Sequence, residues 1–242
     1  MSDDFDRRLA RLTRRGFVTA AVAAAAAFGG WKWLRSRARI DGAPWPLRRV
    51  LEANESLASA WFSPKRLSPE FKPSQRTRPR INGHLGLAEN ADMAQWRLTI
   101  EGAAAPVSLT LDEIKSMPRV EMITELRCIE GWSTIVKWTG ARLSDFALRF
   151  PPANAAEFIA LETPGRGYYV GLDMASALHP QTLLAYEMND QPLNWHHGAP
   201  LRLAIPVKYG IKNIKRIGVL RYSASRPADF WAERGYDWYA GH

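Results

Sequence analysis

The sequence predicts an α+β domain, and three observations predict it. Short segments of alternating apolar and polar residues recur from residue 96 onward. Few helical patterns lie between them, and these are short. Strands and helices do not alternate strictly, so a doubly wound parallel sheet is not expected. The chain has 242 residues, 46% of them apolar, enough core for one large domain or two small ones. It contains no internal repeat and no glycine-rich phosphate loop.

The elements follow in order. LTRRGFVTAAVAAAAAFGGWKWLRSR opens with Arg14 and Arg15, continues through an uncharged run over residues 17–28, and ends in aromatic and basic residues. A basic start and a short apolar run describe an export signal. Thr13-Arg14-Arg15-Gly16-Phe17 resembles the twin-arginine form, which is read by the machinery that exports folded proteins. A chain that must fold before crossing usually acquires a cofactor first. Residues 17–34 are also close to the lower limit for spanning a bilayer. Trp31 and Trp33 suit a membrane interface. Residues 1–40 are therefore expected to be a twin-arginine signal or a retained anchor, with the rest of the chain in the periplasm. Residues 41–80 carry many prolines and no sustained apolar period. They predict an extended connector, with one helical turn at LASAWF.

The domain proper is expected over residues 81–242. WRLTIEG alternates as a strand, with Trp96, Leu98 and Ile100 on one face, and VSLTL is a second strand. Thr110 followed by Glu113 is a capping-box spacing for a short helix in LDEIKSM. EMITELRC reads as a strand entering a loop at the cysteine. TGARLSDFAL reads as an amphipathic helix with Leu143, Phe146 and Ala147 inward. EFIALET, GYYVGLD, APLRLAIP and KRIGVLRYS are four more strands, and ASALHPQTLLAYEM mixes helix and strand.

The formal charge is +9, but ten arginines fall within residues 1–50. The basic excess thus belongs largely to the targeting segment, and nucleic acid is not an expected partner. HExxH, paired-cysteine zinc spacings, GxSxG and the haem motif CxxCH are all absent. Cys128, in TELRCIEGWSTIVKWTG, is the only cysteine. It can be a buried small hydrophobe, a nucleophile served by His84, His179, His196 or His197, or a soft-metal ligand. Arg127 would favour its thiolate. In NWHHGAPLRLAIPVKYGIKNIKRIG, His197 and Arg202 lie near Lys208, Lys212 and Lys215 in sequence. If they converge they suit a phosphate, although a basic hairpin explains the spacing as well.

RCIEGWS, followed by HPQTLLAYEMNDQPL, HGAPLRL and KYGIKNIKRI, resembles the molybdopterin-binding domain of the sulfite oxidase family, over roughly residues 80–242. The methionine-sulfoxide reductases are the branch it resembles most. The resemblance implies a mixed α+β fold around a molybdenum-molybdopterin cofactor. It leaves no room for the C-terminal immunoglobulin-like dimerisation domain of sulfite oxidases. By position it implies Cys128 as molybdenum ligand. It implies Asn82, Leu85, Gly86, Thr163, His197 and Arg202 as cofactor contacts, and Asn213, Ile214 and Lys215 as a phosphate clasp. Tyr236 falls where the family places a tyrosine near the metal. Two departures matter. Residues 129–133 lack the arginines that bind sulfite in sulfite oxidases, whereas His197 is like those enzymes. The implied function is two-electron oxygen-atom chemistry, with reduction of a small-molecule or protein sulfoxide first and oxidation of sulfite second. An inactive membrane-tethered binding module is the alternative of another class. With no second redox centre, electrons are expected from a membrane cytochrome or quinone-linked subunit.

Overall fold

The computed structural model describes residues 2–87 and 94–242, with the backbone alone over residues 2–12. The side chains of Arg7, Arg8 and Arg11, three of the ten arginines in residues 1–50, fall outside the described ones. The chain divides into two units, Met1–Val50 and Leu51–His242.

The first unit begins with helix α1, Ser2–Arg35. Its stretch Thr13–Arg35 is long and apolar enough to cross a membrane, and also suits a signal sequence. A hairpin follows, β1 (Arg39–Ile40) paired with β2 (Ala43–Pro44). Asp41 and Gly42 at its tip both have positive φ, 45° and 75°. Helix α2 then runs from Trp45 to Trp61. This corrects the expected extended connector over 41–80. Pro44 and Pro46 read as breakers, yet they sit before and within the first helical turn, where no backbone donor is needed. LASAW, residues 57–61, is the last part of a 17-residue helix, and Phe62 lies just beyond it.

Beyond α2, residues 62–80 are largely extended, apart from a turn at 63–66 and a 3-10 turn at Pro73–Gln75. They lie along the domain's strands: Phe71 N–H donates to the Ile123 carbonyl and Thr77 N–H to the Ile135 carbonyl, both at 2.9 Å.

The second unit then places β3 (Leu98–Glu101), β4 (Val107–Leu109), α3 (Leu111–Lys115), β5 (Arg119–Arg127), β6 (Ser133–Arg142), α4 (Leu143–Arg149), β7 (Phe158–Glu162), β8 (Tyr169–Asp173), α5 (Met174–Ala177), β9 (Leu183–Met188), β10 (Gln191–Pro192), β11 (Arg202–Ala204) and β12 (Val219–Ser223). This is the mixed α+β fold that the sequence predicts. The α3 capping box forms: Glu113 N–H donates to Thr110 Oγ1 at 3.2 Å, and Thr110 N–H to the Glu113 carboxylate at 2.8 Å. TGAR corrects the expected helix, because it belongs to β6. That strand pairs with β5 on one side and β9 on the other, and pairing on both edges overrides local helix preference. Gly140 permits the second contact, since a Cβ there would lie 2.3 Å from the Leu184 carbonyl oxygen.

Two five-stranded sheets result. One has the order β10-β9-β6-β5, with β11 also on β9, all antiparallel. The other has the order β4-β3-β12-β7-β8 and one parallel pair, β12 with β3. Leu98 and Ile100 of β3, Leu161 of β7 and Leu220 of β12 share one buried cluster with Leu184 and Tyr186 of β9 and Leu203 of β11. Alternation sends Leu183 and Ala185 of β9 to the opposite face, beside Met122, Val136, Trp138 and Met188. This second face floors the site.

Candidate functional site

Above Val136, Trp138 and Met188 lies a cleft that contains Cys128, with Asn82 and Leu85 on one wall and His197, Arg202, Asn213 and Lys215 at its inner end. Tyr236, Trp231, Ile129 and Trp132 stand toward the outside.

Cys128 is the first residue beyond β5. Its N–H donates to the Trp132 carbonyl at 2.9 Å, and Gly131 N–H donates back to the Cys128 carbonyl at 3.1 Å. Gly131 has φ +86°, which this closed loop requires. Gly210 packs beneath it: a Cβ there would sit 3.3 Å from the Arg127 carbonyl oxygen. The thiol is half-buried and free. Burial pushes its pKa up, with the neighbouring Glu130 and Arg80 as smaller, mixed influences. Asn82 Nδ2 stands 3.9 Å from Sγ. Arg127 does not serve the sulfur as expected. Strand geometry turns it to Glu125, 2.8 Å away, and the cation that favours the thiolate is Arg80. Arg80 stacks on Trp132 at 4.9 Å, and Trp132 Nε1 donates to the Glu130 carboxylate at 2.8 Å.

The inner end is cationic. Arg202, on β11, is 3% exposed. Its guanidinium donates to the carbonyls of His197 and Asn213, each at 3.1 Å, and lies 4.8 Å above the Trp138 ring. Burial lowers its pKa to about 10. Lys215 Nζ donates to the carbonyls of Asn82 at 2.7 Å and Gly83 at 3.2 Å. Burial and then Arg202 lower it to about 8. Burial, with Arg202, Lys215 and His196 beyond it, lowers His197 to about 4, so its imidazole is neutral at neutral pH. Among the described residues no carboxylate lies within salt-bridge distance of Arg202 or Lys215. One buried and one half-buried cation with carbonyl partners alone suit an anionic ligand, and a free thiol in the same cleft suits a soft metal.

The oxidoreductase molybdopterin binding domain model matches residues 84–231. The chain belongs to that family. Protein-methionine-sulfoxide reductase subunit YedZ1 of Azospira oryzae, a provisional name, is 37% identical over 74% of this chain and 70% of its own. Protein-methionine-sulfoxide reductase catalytic subunit MsrP of Xanthomonas campestris pv. campestris is 38% identical over 60% of this chain and 50% of its own. The MsrP of Campylobacter jejuni is 33% identical over 64% and 59%. The chain thus spans about half to 70% of these relatives. The solved sulfane dehydrogenase SoxCD of Paracoccus pantotrophus aligns with a TM-score of 0.54 over 69% of this chain and 50% of its own, at 17% identity, a likeness of fold.

In this molybdopterin-binding domain, eight of the expected site residues line the cleft: Cys128, Tyr236, Asn82, Leu85, His197, Arg202, Asn213 and Lys215. Gly86, Thr163 and Ile214 do not. Gly86 has φ +72°, and a Cβ there would lie 2.6 Å from Thr163 Cγ2. Thr163 is buried and exchanges bonds with the Tyr168 backbone, accepting at 3.0 Å and donating at 3.2 Å. The pair thus packs behind the Asn82–Leu85 wall. Ile214 is core, and its carbonyl accepts from Leu203 N–H. The Asn213 side chain closes its own loop, accepting from Ile205 N–H at 2.9 Å. Lys208 and Lys212 correct the expected convergence. Lys212 is buried on Asp229 and the Gly171 carbonyl, and Lys208 lies 3.6 Å from Asp173. Neither points into the cleft. Arg80, Glu130, Trp132 and Trp138 are site residues that the sequence reading left without a role. Trp132 and Trp138 flank the cysteine closely, which is a usable signal. Arg80 carries none, because it arrives from a distant extended segment.

Proposed function

We propose that the chain is an exported molybdenum enzyme that reduces a sulfoxide. Sulfoxide reduction takes up two electrons and two protons and releases water. When bound, the molybdenum cofactor supplies two-electron oxygen-atom chemistry. The chain's part is to hold, orient and select. Cys128 serves as the thiolate ligand. Arg202 and Lys215 hold the cofactor's phosphate, backed by Asn213 and Ile214. Neutral His197, Asn82 and Leu85 line the pterin. Gly86 and Thr163 support that wall from behind. Tyr236, 39% exposed at the mouth, donates a hydrogen bond to the substrate oxygen.

The observation that carries the substrate reading is the outer half of the cleft. Residues 129–133 carry no cation, and Glu130 places a carboxylate two residues from the sulfur. Ile129, Trp132 and Trp231 are the apolar neighbours there. A neutral sulfoxide on an apolar group fits this mouth, and the Glu130 carboxylate repels an oxyanion. The names of the relatives, methionine-sulfoxide reductases, point the same way. Arg80 on Trp132 favours the second reading, oxidation of sulfite, since it is a cation at the same mouth.

The test is an assay of purified holoenzyme with methionine sulfoxide and a reduced dye, against sulfite with an artificial acceptor. Turnover of the sulfoxide is expected, and turnover of sulfite alone would overturn the proposal. Residues 1–40 direct export by the twin-arginine machinery, and α1 remains as an inner-membrane anchor with residues 81–242 in the periplasm. Electrons come from a membrane cytochrome or quinone-linked subunit. The "subunit" in the relatives' names supports such a partner.

A further inference from the structure

Helix α2 presents an apolar stripe that is exposed among the described residues. Leu47, Val50, Leu57 and Trp61 are 44%, 56%, 70% and 72% exposed. At 3.6 residues per turn they fall within an arc of about 80°, with Asn54 inside it. The opposite side carries Arg48, Glu52, Glu55, Ser56 and Ser59, after the half-exposed Trp45 of the first turn. An exposed Leu alone is ordinary, but four large apolar side chains aligned over four turns mark an interaction surface.

The chain around the stripe indicates what covers it. The apolar run of α1 ends in Trp31, Lys32, Trp33 and Arg35, with Arg37 just beyond. Arg35 stacks on Trp31 at 5.7 Å, and Arg37 on Trp33 at 5.0 Å. An indole with a guanidinium beside it suits the headgroup layer, where one part is apolar and the other wet. The β1–β2 hairpin then turns the chain back, so that Trp45 N–H donates to the Ala38 carbonyl at 2.9 Å. The start of α2 is thereby hydrogen-bonded to a residue three positions beyond the end of α1. Trp61, at the far end of α2, repeats the motif: Arg66 stacks on it at 4.7 Å and donates to its carbonyl at 3.0 Å.

We infer that α2 is an interfacial helix, lying along the outer leaflet with Leu47, Val50, Leu57 and Trp61 in the lipid headgroup–acyl boundary. The inference rests on the proposed anchoring by α1. Its role is to fix orientation rather than to add affinity, because a spanning helix already holds the chain. A single spanning helix leaves a tethered domain free to rotate and tilt, and a second, membrane-parallel helix removes much of that freedom. For an enzyme fed by a membrane redox subunit, this restricts the faces that reach the partner.

The test uses full-length holoenzyme in phospholipid vesicles, spin-labelled at Val50→Cys, Leu57→Cys, Ser56→Cys or Ser59→Cys, with Ala23→Cys as a reference on α1. The unsubstituted protein, treated in parallel, gives the background from Cys128. Collision with oxygen, which concentrates in lipid, is compared with collision with a water-soluble nickel chelate. The oxygen-to-nickel ratio is expected to be at least severalfold higher at 50 and 57 than at 56 and 59. Equal ratios at all four positions, with position 23 in lipid, would overturn the interfacial helix and leave the anchor standing. Low access to both reagents at 50 and 57 would also overturn it, because protein then covers the stripe. A position 23 that is in water, or missing from the mature chain, would overturn the anchor and the inference with it.

Discussion

Lys215 Nζ donates to the Asn82 carbonyl at 2.7 Å, and the Asn82 side chain stands 3.9 Å from Cys128 Sγ. One lysine beyond β11 thus fixes the wall that faces the cysteine. Removing it releases that wall and takes a cation from the inner end of the cleft. Lys215→Met is expected to weaken cofactor retention about 10- to 100-fold, the range for losing a hydrogen bond to a charged group. Molybdenum and pterin content after gel filtration measures it, and a variant that keeps full content would contradict the assignment.

Arg202 predicts that charge is not enough. Its planar fork donates to two carbonyls while stacking on Trp138. Lysine keeps the charge but reproduces neither the fork nor the stack. Arg202→Lys is therefore expected to lose most of its cofactor in the same content assay. Near-normal content would mean that net charge alone suffices.

Glu130 predicts a gain. In Glu130→Gln the carboxylate beside the sulfur is gone, and the Trp132 indole keeps an oxygen to donate to. Removing on the order of 1 kcal/mol of repulsion is expected to tighten inhibition by sulfate or sulfite about three- to tenfold. Inhibition constants measured at fixed ionic strength test this, and an unchanged constant would remove Glu130 from substrate selection.

Lys208 predicts a pH dependence of stability. Burial lowers its pKa from 10.5 to about 7, with Asp173 and Asp237 opposing and Lys212 reinforcing. Between those two values the unfolded chain binds more protons than the folded one, so stability rises as pH rises from about 7 toward 10. Thermal unfolding across that window is expected to show the rise, and Lys208→Met to flatten it. A falling midpoint in the parent over the same window would contradict the burial argument.

The order of the motifs makes much of this site legible. Cys128, His197, Arg202 and Lys215 are far apart in the chain, yet all four reach one cleft. The apolar alternation of β3 and the capping box of α3 are equally plain, because both depend on neighbours in sequence. What is hidden depends on distant partners. Lys208 and Lys212 look like Lys215 in the sequence, but acids at 173 and 229 draw them away from the cleft. Arg127 adjoins the cysteine and still faces Glu125, while Arg80 reaches the cleft from a segment with no local pattern. Strand pairing on both edges makes TGAR part of β6 despite its helical pattern. Proline in a first turn made α2 look like a connector.

The central claim is that the Cys128 sulfur is bonded to molybdenum. X-ray absorption at the molybdenum edge counts sulfur neighbours directly. Cys128→Ser, purified with its pterin still bound, is expected to show one sulfur fewer than the parent protein. An identical sulfur shell in the two proteins would contradict it.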